Sequence, residues 1–269
     1  MTSPPTPAGP PSTSPHAPRG PEASTPPSLL VRYGNFLFKY RDAVFPLVLV
    51  ALLLVARPTW PRGSERLDDL LDLVGFTIAA LGQALRVVTV GYAYIIRGGR
   101  NKQVYAEDLV TRGLFNHSRN PLYVGNVLIL LGLLVIWNSP LAYVVGGVFF
   151  LTGYVAIVAA EEAFLRRKFG PQYDAYCARV PRWRVRLRGI GASLAPMTFN
   201  WRRVVLKEYG SAAYWVAGAF VLMLADSLVH QPWGARPVYH SALVVGVLVV
   251  AALWWWARVL KHSRRLTED

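Results

Sequence analysis

"RNPLYVGNVLILLGLLVIWNSPLAYVVGGVFFLTGYVAIVAAEE", residues 119–162, decides the fold. Two apolar runs, 121–137 and 140–160, flank the turn "WNSP". At about 1.5 Å per residue they rise roughly 25 Å and 30 Å as helices. A hydrocarbon core of about 30 Å is crossed by lengths of this order. The short turn allows only a tight reversal, so the pair reads as a membrane hairpin with both free ends at one face. One end carries Arg119-Asn120-Pro121 and the other Glu161-Glu162.

Outward from the hairpin the same pattern repeats. Apolar runs at about 36–56, 69–96, 211–229 and 241–260 bring the expected total to six spans. The chain has 269 residues, 53% of them hydrophobic, and a mean hydropathy of +0.30. This is too apolar for an ordinary soluble domain of its length. The expected fold is all-α, a polytopic transmembrane bundle. No internal repeat is evident.

The net charge of +14 raises nucleic acid as a partner, but the basic residues alternate with the apolar runs. That arrangement reads as basic loops of a membrane protein, with no nucleic-acid partner. Twenty-four lysines and arginines fall in the N-terminal segment, residues 97–120, residues 161–210 and the tail from Arg258. The opposite loops hold four, Arg57, Arg62, Arg66 and Arg236, and Arg86 lies within a span. Basic loops stay cytoplasmic, which places both termini and both long loops there. "WWW" at 254–256, just before Arg258, reads as an interfacial aromatic anchor. Residues 1–28 are rich in Pro, Ser, Thr and Ala and lack an apolar core. They are expected to be disordered and are no signal peptide. Residues 29–205 then form a four-span core, and 206–269 add two spans and a basic tail.

The hairpin ends carry the chemistry. Proline at the first helical position sacrifices no intrahelical bond. Asn120 is a favoured N-cap, and Arg119 sits at headgroup depth. A helix N-terminus also offers free N–H groups to a carboxylate or phosphate. Glu161 and Glu162 end a helix whose C-terminus prefers cations. Either they reach water or they bind something cationic. Neighbours on a helix point about 100° apart, so one glutamate can face a ligand while the other pairs with Arg119 or a loop base. After them, "AFLRRKFGPQYDAYCARVPRW" (163–183) reads as amphipathic helical pieces, serving as a membrane-surface anchor or as a lid. Cys177 is the lone cysteine, so it forms no internal disulfide, and packing is its expected role. His117 is a single loop histidine with no cluster around it, and no metal site is expected.

"LVTRGLFNHSRNPLYVGN" (109–126) and "EEAFLRRKFGPQYDAYCARVP" (161–181), in that order about one hairpin, resemble a known superfamily. It is that of the isoprenylcysteine carboxyl methyltransferases and phospholipid methyltransferases. The resemblance covers about residues 75–185. It implies a membrane enzyme that binds S-adenosylmethionine at its cytoplasmic face without a Rossmann domain. By position, the cofactor pocket would include Asp108, Leu109, Val110, Gly113, Phe115, Arg119, Asn120, Pro121, Tyr123, Glu161 and Glu162. The glutamates suit the sulfonium and ammonium and Arg119 the carboxylate, or the two ends are exchanged, and Phe115 and Tyr123 can stack on adenine or close over it. Arg119, Glu161, Glu162 and Arg86 are the candidate catalytic residues.

Two positions depart from the family pattern. Asn120 stands where the isoprenylcysteine enzymes usually have His. Ile157 stands where those acting on prenylated proteins have a substrate-associated Arg. Arg86, three residues after Gln83 and on the same helix face, can substitute or can snorkel to the interface. The acceptor is therefore left open among a prenylcysteine-like carboxylate, a lipid amine and an apolar thiol, all membrane-partitioning. Two other readings remain. "YCARVP" (176–181) also resembles NADPH-dependent sterol reductases, and a methyltransferase scaffold can serve without catalysis.

Overall fold

The structure is a computed structural model and describes residues 26–93 and 104–262. Most of the N-terminal segment expected to be disordered lies outside the described residues, as do residues 94–103 and the end of the basic tail. Among the described residues all regular structure is helical. The long helices are α1 (Leu29–Val55), α2 (Glu65–Tyr92), α3 (Pro121–Trp137) and α4 (Ala142–Phe169, opening on one π-helical turn). Two short helices, α5 (Pro171–Arg179) and α6 (Ile190–Leu194), precede α7 (Trp201–His230) and α8 (Pro237–His262).

Four helices, α2, α4, α7 and α8, are long and apolar enough to cross a membrane. The chain is a membrane protein. Six spans were expected, and the other two differ for evident reasons. α3 is apolar but shorter, cut at Asn138, whose φ of 42° ends the helix. α1 carries Arg32, Lys39, Arg41 and Asp42 in its first half. α7 begins ten residues before its expected start, so the division expected at 205 falls inside it.

Local chemistry sets the ends. Ser64 accepts a hydrogen bond from Leu67 N–H, and Glu65 and Asp68 follow in the first turn of α2, where acids suit the dipole. Asn200 caps α7 through Arg203 N–H at 2.8 Å. The α3–α4 turn is fastened to the α1–α2 connection. Trp137 Nε1 donates to the Ala56 carbonyl at 2.6 Å, and Thr59 Oγ1 donates to the Asn138 carbonyl at 2.8 Å. At this end Arg236 also pairs with Glu65 and Asp69, each at 3.0 Å, tying the start of α8 to α2.

α2 and α3 meet along a seam of small residues. A Cβ on Gly75 would stand 2.6 Å from the Gly132 carbonyl oxygen, and one on Gly82 2.6 Å from that of Gly125. The glycines recur every seven residues on each helix, two full turns apart, so both contacts fall on one face. Without water to drive association, close backbone approach of this kind holds membrane helices together. Ala79 fills the seam between the glycine pairs and is fully buried.

α3 packs chiefly on α2, and α4 chiefly on α1, where Gly34 lies against Ala156. α7 covers α2 and α3, and α8 lies outside α7. Most of α8 is exposed: Leu248, Trp255 and Trp256 are each more than 60% accessible, as a lipid-facing helix requires. Arg258 stacks over Trp254 at 5.4 Å, consistent with a headgroup-level anchor.

The seam makes a stability prediction. Gly132→Val should lower stability in detergent by about 1–3 kcal/mol through overpacking. At Gly218 in α7 a Cβ meets nothing within 4 Å. Gly218→Ala should leave stability unchanged or raise it by up to about 1 kcal/mol. Thermal unfolding of the two purified variants checks both.

Candidate active site

Between the α1–α4 pair and the α2–α3 pair lies a cavity of about 1070 Å³. The loop before α3, α5 and part of α7 complete its wall. Its loop end is charged and its depth is apolar. Arg119, Glu161, Glu162, Glu107 and Asp108 line the first, and Phe45, Leu49, Ile129, Leu130 and Leu133 the second. Along α3 the lining runs from Leu122 to Leu133, a drop of roughly 16 Å at about 1.5 Å per residue.

The two glutamates take different partners. Glu162 is buried and receives two arginines. Arg119 Nη1 lies 3.0 Å from Oε1, Arg182 Nε donates to the same oxygen at 3.0 Å, and Arg182 Nη2 contacts Oε2. These contacts join α4 to the segment before α3 and to the segment after α5. The hydrogen bond to Glu162 also raises the Arg182 pKa above its usual value. Glu161 lines the cavity and accepts a hydrogen bond from the Tyr123 hydroxyl. Arg41 Nη1 donates to the same hydroxyl at 3.3 Å. One glutamate thus pairs with Arg119 while its neighbour faces the cavity, the division that the helical offset allows.

The loops fold over this end. Arg119 N–H donates to the Pro181 carbonyl at 2.9 Å, and Tyr176 Oη donates to the Phe115 carbonyl at 2.6 Å. Tyr173 and Tyr176 are buried against Leu109 and Leu165 and line the cavity. Burial pushes both phenols well above their usual pKa, so they stay neutral. The segment expected as an anchor or lid is therefore a wall of the cavity. It turns at Gly170, whose φ of +49° suits glycine. His117 is buried and pins the loops together, Nδ1 2.7 Å from the Arg186 carbonyl and Nε2 2.8 Å from Ser193 Oγ. Cys177 Sγ lies 2.9 Å from Arg119 Nη1.

Of the residues that the sequence nominated, Asp108, Leu109, Val110, Phe115, Arg119, Asn120, Tyr123, Glu161, Glu162 and Arg86 line the one cavity. Gly113 and Pro121 do not. Gly113 makes the turn before α3 at φ +61° and faces Met197, and Pro121 is buried at the helix start. Asn120 makes no side-chain cap. Its Nδ2 instead donates to the Arg182 carbonyl at 3.0 Å, tying α3 to the segment after α5 that also reaches Glu162. Arg86 does not snorkel. Its side chain is 4% exposed, and it is held by Glu208 of α7 through Nε at 2.9 Å and Nη2 at 3.1 Å. Sequence reading missed Arg41, Asn126, Tyr154, Arg182 and Glu208. Only Glu208 carried a signal, as an acid beside an apolar run.

Residues 72–172 match the family model for phospholipid methyltransferases. The chain is also similar to the cobalt-zinc-cadmium resistance protein CzcN of Cupriavidus metallidurans. They are 30% identical over 225 residues, 81% of this chain and 96% of the relative. Protein-S-isoprenylcysteine O-methyltransferase B of Arabidopsis thaliana is 30% identical over 112 residues, 40% of this chain and 55% of that protein.

The chain belongs to the isoprenylcysteine carboxyl methyltransferase and phospholipid methyltransferase superfamily.

A second metal-resistance relative, NccN of Alcaligenes xylosoxydans xylosoxydans, is 29% identical over 154 residues, 57% of this chain and 68% of its own. No solved structure matches significantly. Among the described residues no group of three or more His, Cys, Asp or Glu side chains is placed to hold a metal ion. The matched segment spans most of α2, all of α3 and α4, and the loop between α2 and α3. Within this methyltransferase superfamily member, Arg41, Arg182 and the α7 wall thus lie outside the segment that defines the family.

The Glu162 network makes the second prediction. Glu162→Gln leaves two guanidiniums without their carboxylate. Losing a buried pair's partner costs up to about 3–5 kcal/mol, but here Arg182 is 40% exposed and can rehydrate. A loss of about 1–3 kcal/mol is expected, with a smaller loss for Glu161→Gln, whose amide oxygen still accepts from Tyr123. Thermal melts of the two variants check the order.

Proposed function

We propose that the protein is an S-adenosylmethionine-dependent methyltransferase whose acceptor partitions into the membrane. The observation that carries this reading is one cavity with a charged mouth and an apolar depth. Its volume, about 1070 Å³, lies at the top of the roughly 300–1,000 Å³ range of small-molecule sites.

The residues present fit the cofactor. It carries a sulfonium, an ammonium and a carboxylate, and the mouth offers groups of both signs. Glu162 is committed to Arg119 and Arg182, and Glu161, which also lines the cavity, has no such arginine pair. Arg119 Nε is buried without a hydrogen-bond partner at the same end. Phe115, Tyr123, Tyr173 and Tyr176 supply aromatic surface for adenine. When bound, the cofactor supplies a methyl group already activated by positive sulfur. The chain's own task is to hold the acceptor in line and exclude water. Glu161 would hold the cationic end, Arg119 or Arg41 would meet the carboxylate, and the loop residues Asp108 to Val110 would close the mouth.

The excess of basic residues in the loops at the mouth supports a cytoplasmic cofactor site and cytoplasmic termini. An amphiphile would then enter from the bilayer, its head beside the cofactor and its tail along Phe45, Leu49 and Leu133. On this reading residues 29–205 supply the methyltransferase core, and the helices beyond add a wall on the acceptor side.

Purified protein in detergent should bind S-adenosylmethionine and its demethylated product, and not NADPH, by calorimetry. Glu161→Gln should weaken that binding about tenfold to a hundredfold, the worth of a charge-assisted contact. Binding of NADPH in place of the methyl donor would remove the reading. Among tail-length analogues, each methylene removed from the acceptor should lower its apparent affinity, referred to the aqueous concentration, about fourfold, the equivalent of about 0.8 kcal/mol per CH₂ withdrawn from water. Best turnover on a tail-less hydrophilic acceptor would overturn membrane entry while leaving the cofactor site in place.

A further inference from the structure

Three arginines line the cavity, Arg41, Arg86 and Arg119. Arg41 and Arg119 are at the mouth, beside Tyr123 and Glu162. Arg86 stands deeper, next to Asn126 and one and a half turns inside the start of α3. It is the cation that an acceptor head would meet below the cofactor. Among the described cavity-lining residues it is the one basic group at that depth.

Arg86 is already occupied. Glu208 receives it in a two-point contact, Nε to Oε2 at 2.9 Å and Nη2 to Oε1 at 3.1 Å, and both side chains are at most 4% exposed. Gln83 Nε2 donates to the same Glu208 Oε2 at 3.0 Å, and Trp215 Nε1 fixes Gln83 by donating to its Oε1 at 3.1 Å. The remaining guanidinium edge is turned to Asn126. Parallel N–H···O bonds of this kind are the strong, directional form of the arginine–carboxylate pair. In a buried site, an anionic head would either have to break this pair or crowd a second negative charge against Glu208, and both are unfavourable. The other polar lining at this depth, Asn126, Tyr154, Ser211 and Tyr214, is uncharged.

We propose that Glu208 is a specificity-determining residue: by neutralising Arg86 it removes the receptor for a carboxylate and restricts the acceptor to heads without negative charge. This rests on the methyltransferase reading for the word acceptor, but its physical content is the head-group preference of the cavity. Glu208 acts through Arg86. It comes from α7, outside the segment that matches the family, so helices beyond the shared core set the selectivity.

The test is binding of dodecyl amphiphiles with carboxylate, hydroxyl or amine heads to the full-length protein in lipid nanodiscs. Calorimetry of S-adenosylmethionine runs in parallel. The parent should bind the carboxylate at least about tenfold more weakly than the hydroxyl analogue. Glu208→Gln keeps the shape and the Gln83 contact but leaves Arg86 charged. It should gain about tenfold or more in carboxylate affinity, the worth of a new charge-assisted pair. The double variant Arg86→Gln/Glu208→Gln should show no such gain, a pattern that a merely structural role for Glu208 does not produce. A folded Glu208→Gln protein with parental head-group preference would overturn the proposal. Should that variant fail to fold, the parent and Arg86→Gln decide. Strong carboxylate binding by the parent that is lost in Arg86→Gln overturns it, and weak carboxylate binding by both supports it. Loss of S-adenosylmethionine binding in the parent would refute the methyltransferase reading alone, since the head-group series does not require cofactor.

Discussion

The close contact of α2 with α3 is the constraint on which the rest of the structure depends. Its glycine pairs bring two backbones together at a distance that any side chain would forbid. A Cβ on Gly125 would stand 2.6 Å from Arg86 Cγ, so the seam also makes the space in which Arg86 lies. Arg86 thereby meets Asn126 on one side and α7 on the other. With α3 held to α2 and α4 held to α1, the hairpin is supported from outside, and the space between the pairs remains for the cavity.

Charge in this environment is stable only when partnered, and the partners come from distant parts of the chain. Glu162 collects Arg119 and Arg182, and Glu208 collects Arg86. Each pairing joins elements that packing alone would leave loosely related. The first closes the loops over the cavity mouth, and the second fixes α7 against the α2–α3 pair. A membrane protein has little hydrophobic gain in joining helices that lipid already solvates, so polar contacts and close packing share that role. The cost of breaking a buried pair makes these contacts specific as well as stabilising.

The relatives divide by name into methyltransferases and metal-resistance proteins, yet the 225-residue likeness to CzcN is much longer than the family-model segment. The shared segment contains the hairpin and its charged ends. What lies beyond it here, α1 and α7, supplies Arg41, Phe45 and Trp215 to the same cavity and Glu208 to the Arg86 that lines it.

Much was decided by sequence alone. Long apolar runs cannot be solvated by water, so the spanning helices follow from composition. The turn "WNSP" is too short for anything but a hairpin, which puts Arg119 and Glu161-Glu162 at one end. The helical offset between adjacent glutamates already required that they face differently. The tertiary structure decided which partner each took. Nothing in spacing says that Arg182, twenty residues on, returns to Glu162, or that Arg41 approaches Tyr123 from the first helix. Asn120 reads as a cap, but the segment beside it offers its side chain a carbonyl instead. Arg86 reads as a free intramembrane cation until α7 is placed against it. Periodicity and turn chemistry are local and therefore visible in one dimension. The pairing of buried charges depends on distances between helices, which only the packed bundle determines.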